Sequence, residues 1–330
     1  MAVLTPREGP ETRRPDRDGA ERESGPGESA RRILLVSRDE QLDSLLARRR
    51  VAAHLRDLRP VPGTSDEAPP DVALVCDDEA ATARLSASGV PVVHLYSGHP
   101  GTTDTLGTAG ATDRALYRVH RPGWLPDPDP TRAPTGLRPT GVLAPVRSAR
   151  SRQRAGTLLL LSLWDVPAAE ANTFVDTTLP GLVHEALRRT GRCEVVCDLR
   201  LTPIRAALAG LADRPEVRVS RAVDVDVDAL HAGARLFLAA PTLGASALAQ
   251  ARRAPLVFLP PLGGAQRDLA ARMRRLMPVP CADDPRDPGV WAPPDEGVTT
   301  LWDALAPDLD DLRGAQRVAR TLRQLSLAPL

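Results

Sequence analysis

From residue 31 onward, short apolar runs alternate with amphipathic stretches, and this alternation restricts the chain to α/β architectures built on parallel sheets. A run such as ILLV shows no polar alternation, so it suits a strand buried on both faces. Two such strands running in one direction need a crossover helix between them. In the first half the pattern predicts a strand over 33–36, a helix over 39–58, and a strand over 71–76. A short helix closed by Gly89, a strand over 90–95 and another at 115–119 follow. Between 97 and 154 the chain is rich in Gly, Pro, Thr and Arg, which reads as a bridge between domains. The second half is more regular. Strands over 157–163, 193–199, 217–221, 236–240 and 256–259 alternate with helices over 178–190, 203–213, 227–232, 245–253 and 265–276, and two amphipathic helices close the chain. The expectation is two doubly wound Rossmann-like domains, 31–150 and 151–330, facing a cleft, with ligands held at the carboxyl ends of the strands. Residues 1–30 are charged, rich in Pro and Gly and poor in bulky apolar groups, the composition of a disordered tail.

Composition narrows the chemistry. Lys plus Arg is 43 against 42 for Asp plus Glu, a net charge of +1 that gives no general attraction to nucleic acid. None of those cations is lysine, so a P-loop lysine, a Schiff base and a lysine general base are all excluded. Cys76, Cys193, Cys197 and Cys281 are scattered among strand-like segments rather than spaced as a disulfide framework, which fits a reducing, cytoplasmic setting. No apolar run is long enough to span a bilayer, and no signal core opens the chain. Cys193 and Cys197 lack a second ligand pair, and His184–Glu185 lacks the second His of a zinc-protease helix, so neither metal nor cofactor is expected.

Two strand-to-helix turns carry ligand-binding character. AAPTLGAS places Thr242, Gly244 and Ser246 where the free N–H groups of a helix start favour an anion, although Thr242 or Ser246 would serve equally as an ordinary cap. LPPLGGAQRDLA places Gly263 and Gly264 where backbone can approach a ligand, with Gln266 in reach of sugar hydroxyls.

The stretch from RAVDVDVDALHAGARLFLAAPTLGAS to LPPLGGAQRDLAARM resembles the donor domain of GT-B glycosyltransferases, in particular the MurG-like group of UDP-sugar transferases. The first half resembles that group's acceptor domain more loosely, through PDVALVCDDEAATARLSASGVPVVHLY and ATDRALYR. The resemblance implies diphosphate contacts at Thr242, Gly244 and Ser246, sugar contacts at Gln266, and Arg221 and Val223 beside the base. It also implies that the loop carrying Trp164 and Asn172 serves the donor. The departures are specific. SRDEQLD at 37–43 replaces the acceptor-side glycine-rich loop, and the ribose-binding glutamate falls at Leu248 or, with a gap, at Gln250.

General-base candidates at the strand ends are His99, between Gly98 and Pro100, together with Asp78 and Asp39; histidine suits the role because its pKa lies near neutrality. The resulting expectation is metal-independent transfer of a sugar from a UDP- or dTDP-sugar to a small-molecule or lipid-linked hydroxyl or amine acceptor, in bacterial specialised metabolism or envelope synthesis. The alternatives are a non-catalytic ligand-binding or auxiliary relative and a nucleotide-sugar epimerase. The arginines at 48–50 read as a solvated face that could also touch an anionic membrane surface. The oligomeric state is left open.

Overall fold

The structure, a computed structural model, describes residues 31–62, 69–100, 115–125, 137–147, 149, 151–212, 214–292, 300–306, 309 and 311–327. The tail expected over 1–30 lies outside the described residues, and 31–330 forms one compact unit.

Two parallel sheets organise that unit. The first contains β1 (Arg32–Ser37), β2 (Arg59–Val61), β3 (Val72–Cys76), β4 (Val92–Tyr96), β5 (Ala115–Val119) and β6 (Arg138–Pro139), in the order β2-β1-β3-β4-β5-β6. The second contains β7 (Thr157–Leu161), β8 (Cys193–Cys197), β9 (Val217–Arg221), β10 (Leu236–Ala239) and β11 (Val257–Phe258), in the order β11-β10-β7-β8-β9. Every pairing is parallel. The uninterrupted apolar strands explain this, because β3 and β7 are buried along their whole length and tolerate helices on both faces. Strand order reverses between β1 and β3 in the first sheet and between β7 and β10 in the second, and each reversal opens a crevice at the strand carboxyl ends. The expected α/β architecture is therefore present.

Helices α1 (Leu42–Ala52) and α2 (Glu79–Ala87) serve the first sheet. Those of the second half are α3 (Ala168–Thr173), α4 (Leu179–Thr190), α5 (Leu201–Ala207), α6 (Ala209–Ala212), α7 (Val227–Gly233), α8 (Leu243–Ala251), α9 (Gly263–Leu276) and α10 (Pro288–Trp291), and α11 (Gly314–Leu327) ends the described chain.

The structure departs from the sequence expectation in four places. The helix expected over 39–58 stops at Ala52, and the chain turns into the short edge strand β2, whose RPV sequence carries little strand signal. The loop expected over 164–177 is largely helical: α3 runs through a π-helical turn, Phe174–Thr178, into α4. Pro180 in the first turn of α4 has no N–H and crowds the carbonyl four residues back, and a π turn is a form in which a helix can pass such a point. The Pro-rich bridge contains β6 and a buried segment, Val142–Leu143–Ala144. Finally, α11 returns to the first half, burying Ala315, Val318, Ala319 and Leu322 against Ile33, Val51, Leu74 and Leu95. Arg323 pairs there with Asp57, and Arg31 donates to the Ser326 carbonyl at 2.6 Å.

One apolar core crosses from half to half. Leu42, Leu45 and Leu46 of α1 join Leu243, Ala245 and Leu248 of α8, with Ala222, Val227, Leu158 and Phe258. Burying three leucines contributes on the order of 5 kcal/mol or more, which holds α1 firmly against the second half. Among the described residues, no helix is long and apolar enough to cross a membrane. The four cysteines are unpaired thiols, three of them buried.

Candidate functional site

A cleft of about 110 Å³ opens where the two sets of strand ends meet. Its lining comes from the segments that follow five strands: Gln41 and Asp43 after β1, Gly98 and His99 after β4, Ser162, Trp164 and Asp165 after β7, Pro241 and Thr242 after β10, and Ala265 after β11. The double winding of each sheet brings these segments together, and nothing in the local sequence of any one of them requires the others.

Asp43 is the most perturbed group in the cleft. Its carboxylate accepts from the Gly244 N–H at 2.7 Å and the Leu243 N–H at 3.3 Å, the free amides that open α8. Burial raises its pKa from 3.8 to about 7; those two hydrogen bonds and Arg50 oppose the rise, while Asp77 adds to it. A carboxyl group from one half of the chain thus sits on the helix start of the other half. Arg49 and Arg50 extend the contact. Arg49 donates to the carbonyls of Ala222 (2.9 Å), Val223 (2.6 Å) and Val225 (2.6 Å), while Arg50 donates to the Gly244 carbonyl at 3.2 Å and pairs with Asp228 at 2.9 Å.

His99 faces the cleft with its Nε2 2.6 Å from Asp268 Oδ2 of α9, and Asp268 also accepts from Arg272 Nε at 2.6 Å. Burial pushes the His99 pKa below its ordinary value in spite of Asp268, and Arg272 and Arg121 push the same way. Burial works against ionisation of Asp268, yet its bonds to Arg272 and His99 outweigh that effect and hold its carboxyl below the ordinary value. A neutral imidazole donating Nε2–H to this carboxylate has Nδ1 as its basic atom.

The other residues singled out by sequence are spread more widely. Thr242 and Trp164 line the cleft; the Thr242 side chain accepts from Ala245 N–H as the α8 cap, and Arg38 lies 5.8 Å over the Trp164 ring. Gly244 meets Asp43 and Leu46 rather than open space. Ser246 is fully buried, donating to the Thr242 carbonyl at 2.8 Å. Gln266 is also buried, its amide spent on the Ser162 carbonyl at 2.8 Å and the Leu262 N–H at 3.1 Å. Gln250, the gapped counterpart of the ribose glutamate, accepts from Trp124 Nε1 at 3.0 Å. Gly263, at φ 65°, donates to Glu170, and Gly264 is exposed with open space above it. Arg221 forms an exposed pair with Asp224, the Val223 carbonyl holds Arg49, and Asn172 accepts from Arg200 at 2.6 Å on the surface. Asp39 is exposed beside Ser37 and Arg48. Asp78 caps α2, accepting from Ala81 N–H at 2.8 Å.

Neither Asp39 nor Asp78 lines the cleft. Asp78→Ala is accordingly expected to cost about 1 kcal/mol through the lost cap, measured by urea denaturation; an unchanged midpoint would remove the cap from the account. Asp268, which the sequence reading never singled out as a base, lies two residues past Gln266 on α9, and helical spacing alone does not reveal that it faces His99. Asp165, at φ 58°, is a strained non-glycine residue at the cleft. Among the described residues, no group of three or more His, Cys, Asp or Glu could hold a metal ion.

No curated protein sequence matches the chain. Solved structures similar to it include the spinosyn rhamnosyltransferase SpnG, at 17% identity and TM-score 0.46, covering 90% of this chain and 96% of that one. The glycosyltransferase SnogD from Streptomyces nogalater matches at 16% identity and TM-score 0.43, over 90% and 95%. The calicheamicin glycosyltransferase CalG4 matches at 14% identity and TM-score 0.38, again over 90% and 95%. A family model described as CGA synthase-related protein matches residues 33–330, nearly the whole described chain. The chain belongs to the CGA synthase-related protein family.

Proposed function

We propose that the protein transfers a glycosyl group from a nucleotide-sugar donor to a hydroxyl or amine acceptor bound in the cleft, with His99 as general base. The observation that carries this reading is the pair His99–Asp268, 2.6 Å apart at the mouth of two opposed parallel sheets. A neutral imidazole held in one tautomer by a carboxylate can take the acceptor proton as the new glycosidic bond forms. Asp268 holds the ring, and Arg272 keeps Asp268 ionised. The sequence resemblance of the second half to GT-B donor domains supports the same reading, and departure of the nucleoside diphosphate needs no redox cofactor.

A second reading, a non-catalytic ligand-binding or auxiliary relative, is favoured by Asp43 on the α8 amides and by the internal bonding of Gln250 and Gln266. Incubation with UDP-, dTDP- and GDP-sugars and an acceptor panel separates the two. Transfer should be detected in wild type and fall by about a hundredfold or more in His99→Ala, since general-base catalysis contributes ~10²–10⁴-fold. Nucleotide binding without turnover under any pairing would favour the second reading.

A further inference from the structure

Two of the places at which the second half would meet a nucleotide, the Gly244 amide and the Val223 carbonyl, are bonded to side chains of α1. Asp43 takes the two amides of the α8 start, Arg49 takes three carbonyls of the 222–225 turn, and Arg50 takes the Gly244 carbonyl and Asp228. One carboxyl group and two guanidiniums, all from one helix of the opposite half, hold these groups. The Asp43 carboxyl group occupies the amides that would receive a phosphate, and the Arg49 guanidinium is a fixed donor array where a base edge would be read. Leu42, Leu45 and Leu46 anchor the helix between them in the shared core.

We infer that α1 is a built-in competitor of the nucleotide, an autoinhibitory wedge that must withdraw its side chains before a nucleoside diphosphate can occupy the second half. The inference rests on the transferase reading, because it names the regulation of that same site. A second protein, an acceptor or a change in the first half that loosens α1 would then license donor binding. A site open only a fraction of the time binds with an affinity reduced by that fraction, so the wedge is read directly in dissociation constants.

The test compares wild type, Asp43→Ala, Arg49→Ala and the shape-conserving Asp43→Asn. UDP, dTDP and inorganic pyrophosphate are titrated by calorimetry, and amide hydrogen exchange is followed over residues 42–52. The expected result is about tenfold or greater tightening of nucleotide and pyrophosphate in Asp43→Ala, with smaller gains in the other two variants. Faster exchange of α1 should accompany saturation in wild type. Equal nucleotide affinity in wild type and all variants would overturn the wedge and leave the transferase reading intact. Tighter pyrophosphate without nucleotide binding would support the wedge and remove the nucleotide reading. No gain for any of the three probes in folded variants would overturn the wedge.

Discussion

Asp43→Asn is expected to stabilise the protein increasingly as pH rises, by a net of about 3 kcal/mol once pH is well above 7. In the native state burial raises the Asp43 pKa from 3.8 to about 7, whereas the unfolded chain titrates near the ordinary value. Between those values the native state binds more protons than the unfolded state, so native stability falls as pH rises through the window. Below about 4 both states are protonated and the penalty is absent; above about 7 it is fully present, roughly three pKa units at ~1.4 kcal/mol each. Asparagine mimics the protonated acid. Its oxygen retains the 2.7 Å bond from Gly244 N–H, while the longer contact to Leu243 N–H weakens at a cost of about 1 kcal/mol. Urea denaturation of both proteins at several pH values reads the difference directly, because Asp77, Arg50 and the remaining titrating groups are common to the pair. A difference that does not vary with pH would show that Asp43 is ionised without penalty, and that its seat on α8 is a satisfied ion site.

Gly244→Val is expected to destabilise by about 3 kcal/mol or more. A Cβ at this position would lie 2.6 Å from Asp43 Oδ1 and 2.9 Å from Leu46 Cδ1, so the Asp43 and Leu46 side chains must give way in the buried seam between α1 and α8. That movement breaks the Asp43 contacts and opens the shared core at the same place. Gly264→Ala provides the control: it sits in the first turn of α9, where an added Cβ meets nothing within 4 Å, and its effect should stay within about 0.5 kcal/mol. Comparable losses for the two substitutions would mean that helix-start flexibility, rather than the packing of α1, governs stability here.

The fate of Gly244 shows how far the sequence can be read. A glycine after a buried strand and before a helix marks a close approach, and the approach is there; the object approaching is Asp43 of the same chain. Gln266 follows the same pattern. Its place after a Gly-Gly turn is legible, but its bonds to Ser162 and Leu262 depend on how β7 lies beside α9.

The class of fold is legible in the sequence. Apolar runs as short as those of β3 and β7 have no polar face, so they bury only as parallel strands between helices, and the turns at their carboxyl ends follow from Gly, Pro and Thr placement. The positions of His99, Thr242 and Trp164 near strand ends were fixed at that level too. Tertiary structure alone decided which of those ends share a cleft, that His99 meets Asp268 across 169 positions of chain, and that α11 packs on the sheet with which the chain begins. It also decided that Asp43 of α1 lines the cleft. Local periodicity records which face of a helix is apolar but not which surface will cover it, and the partner of Asp43 lies about 200 positions away in sequence.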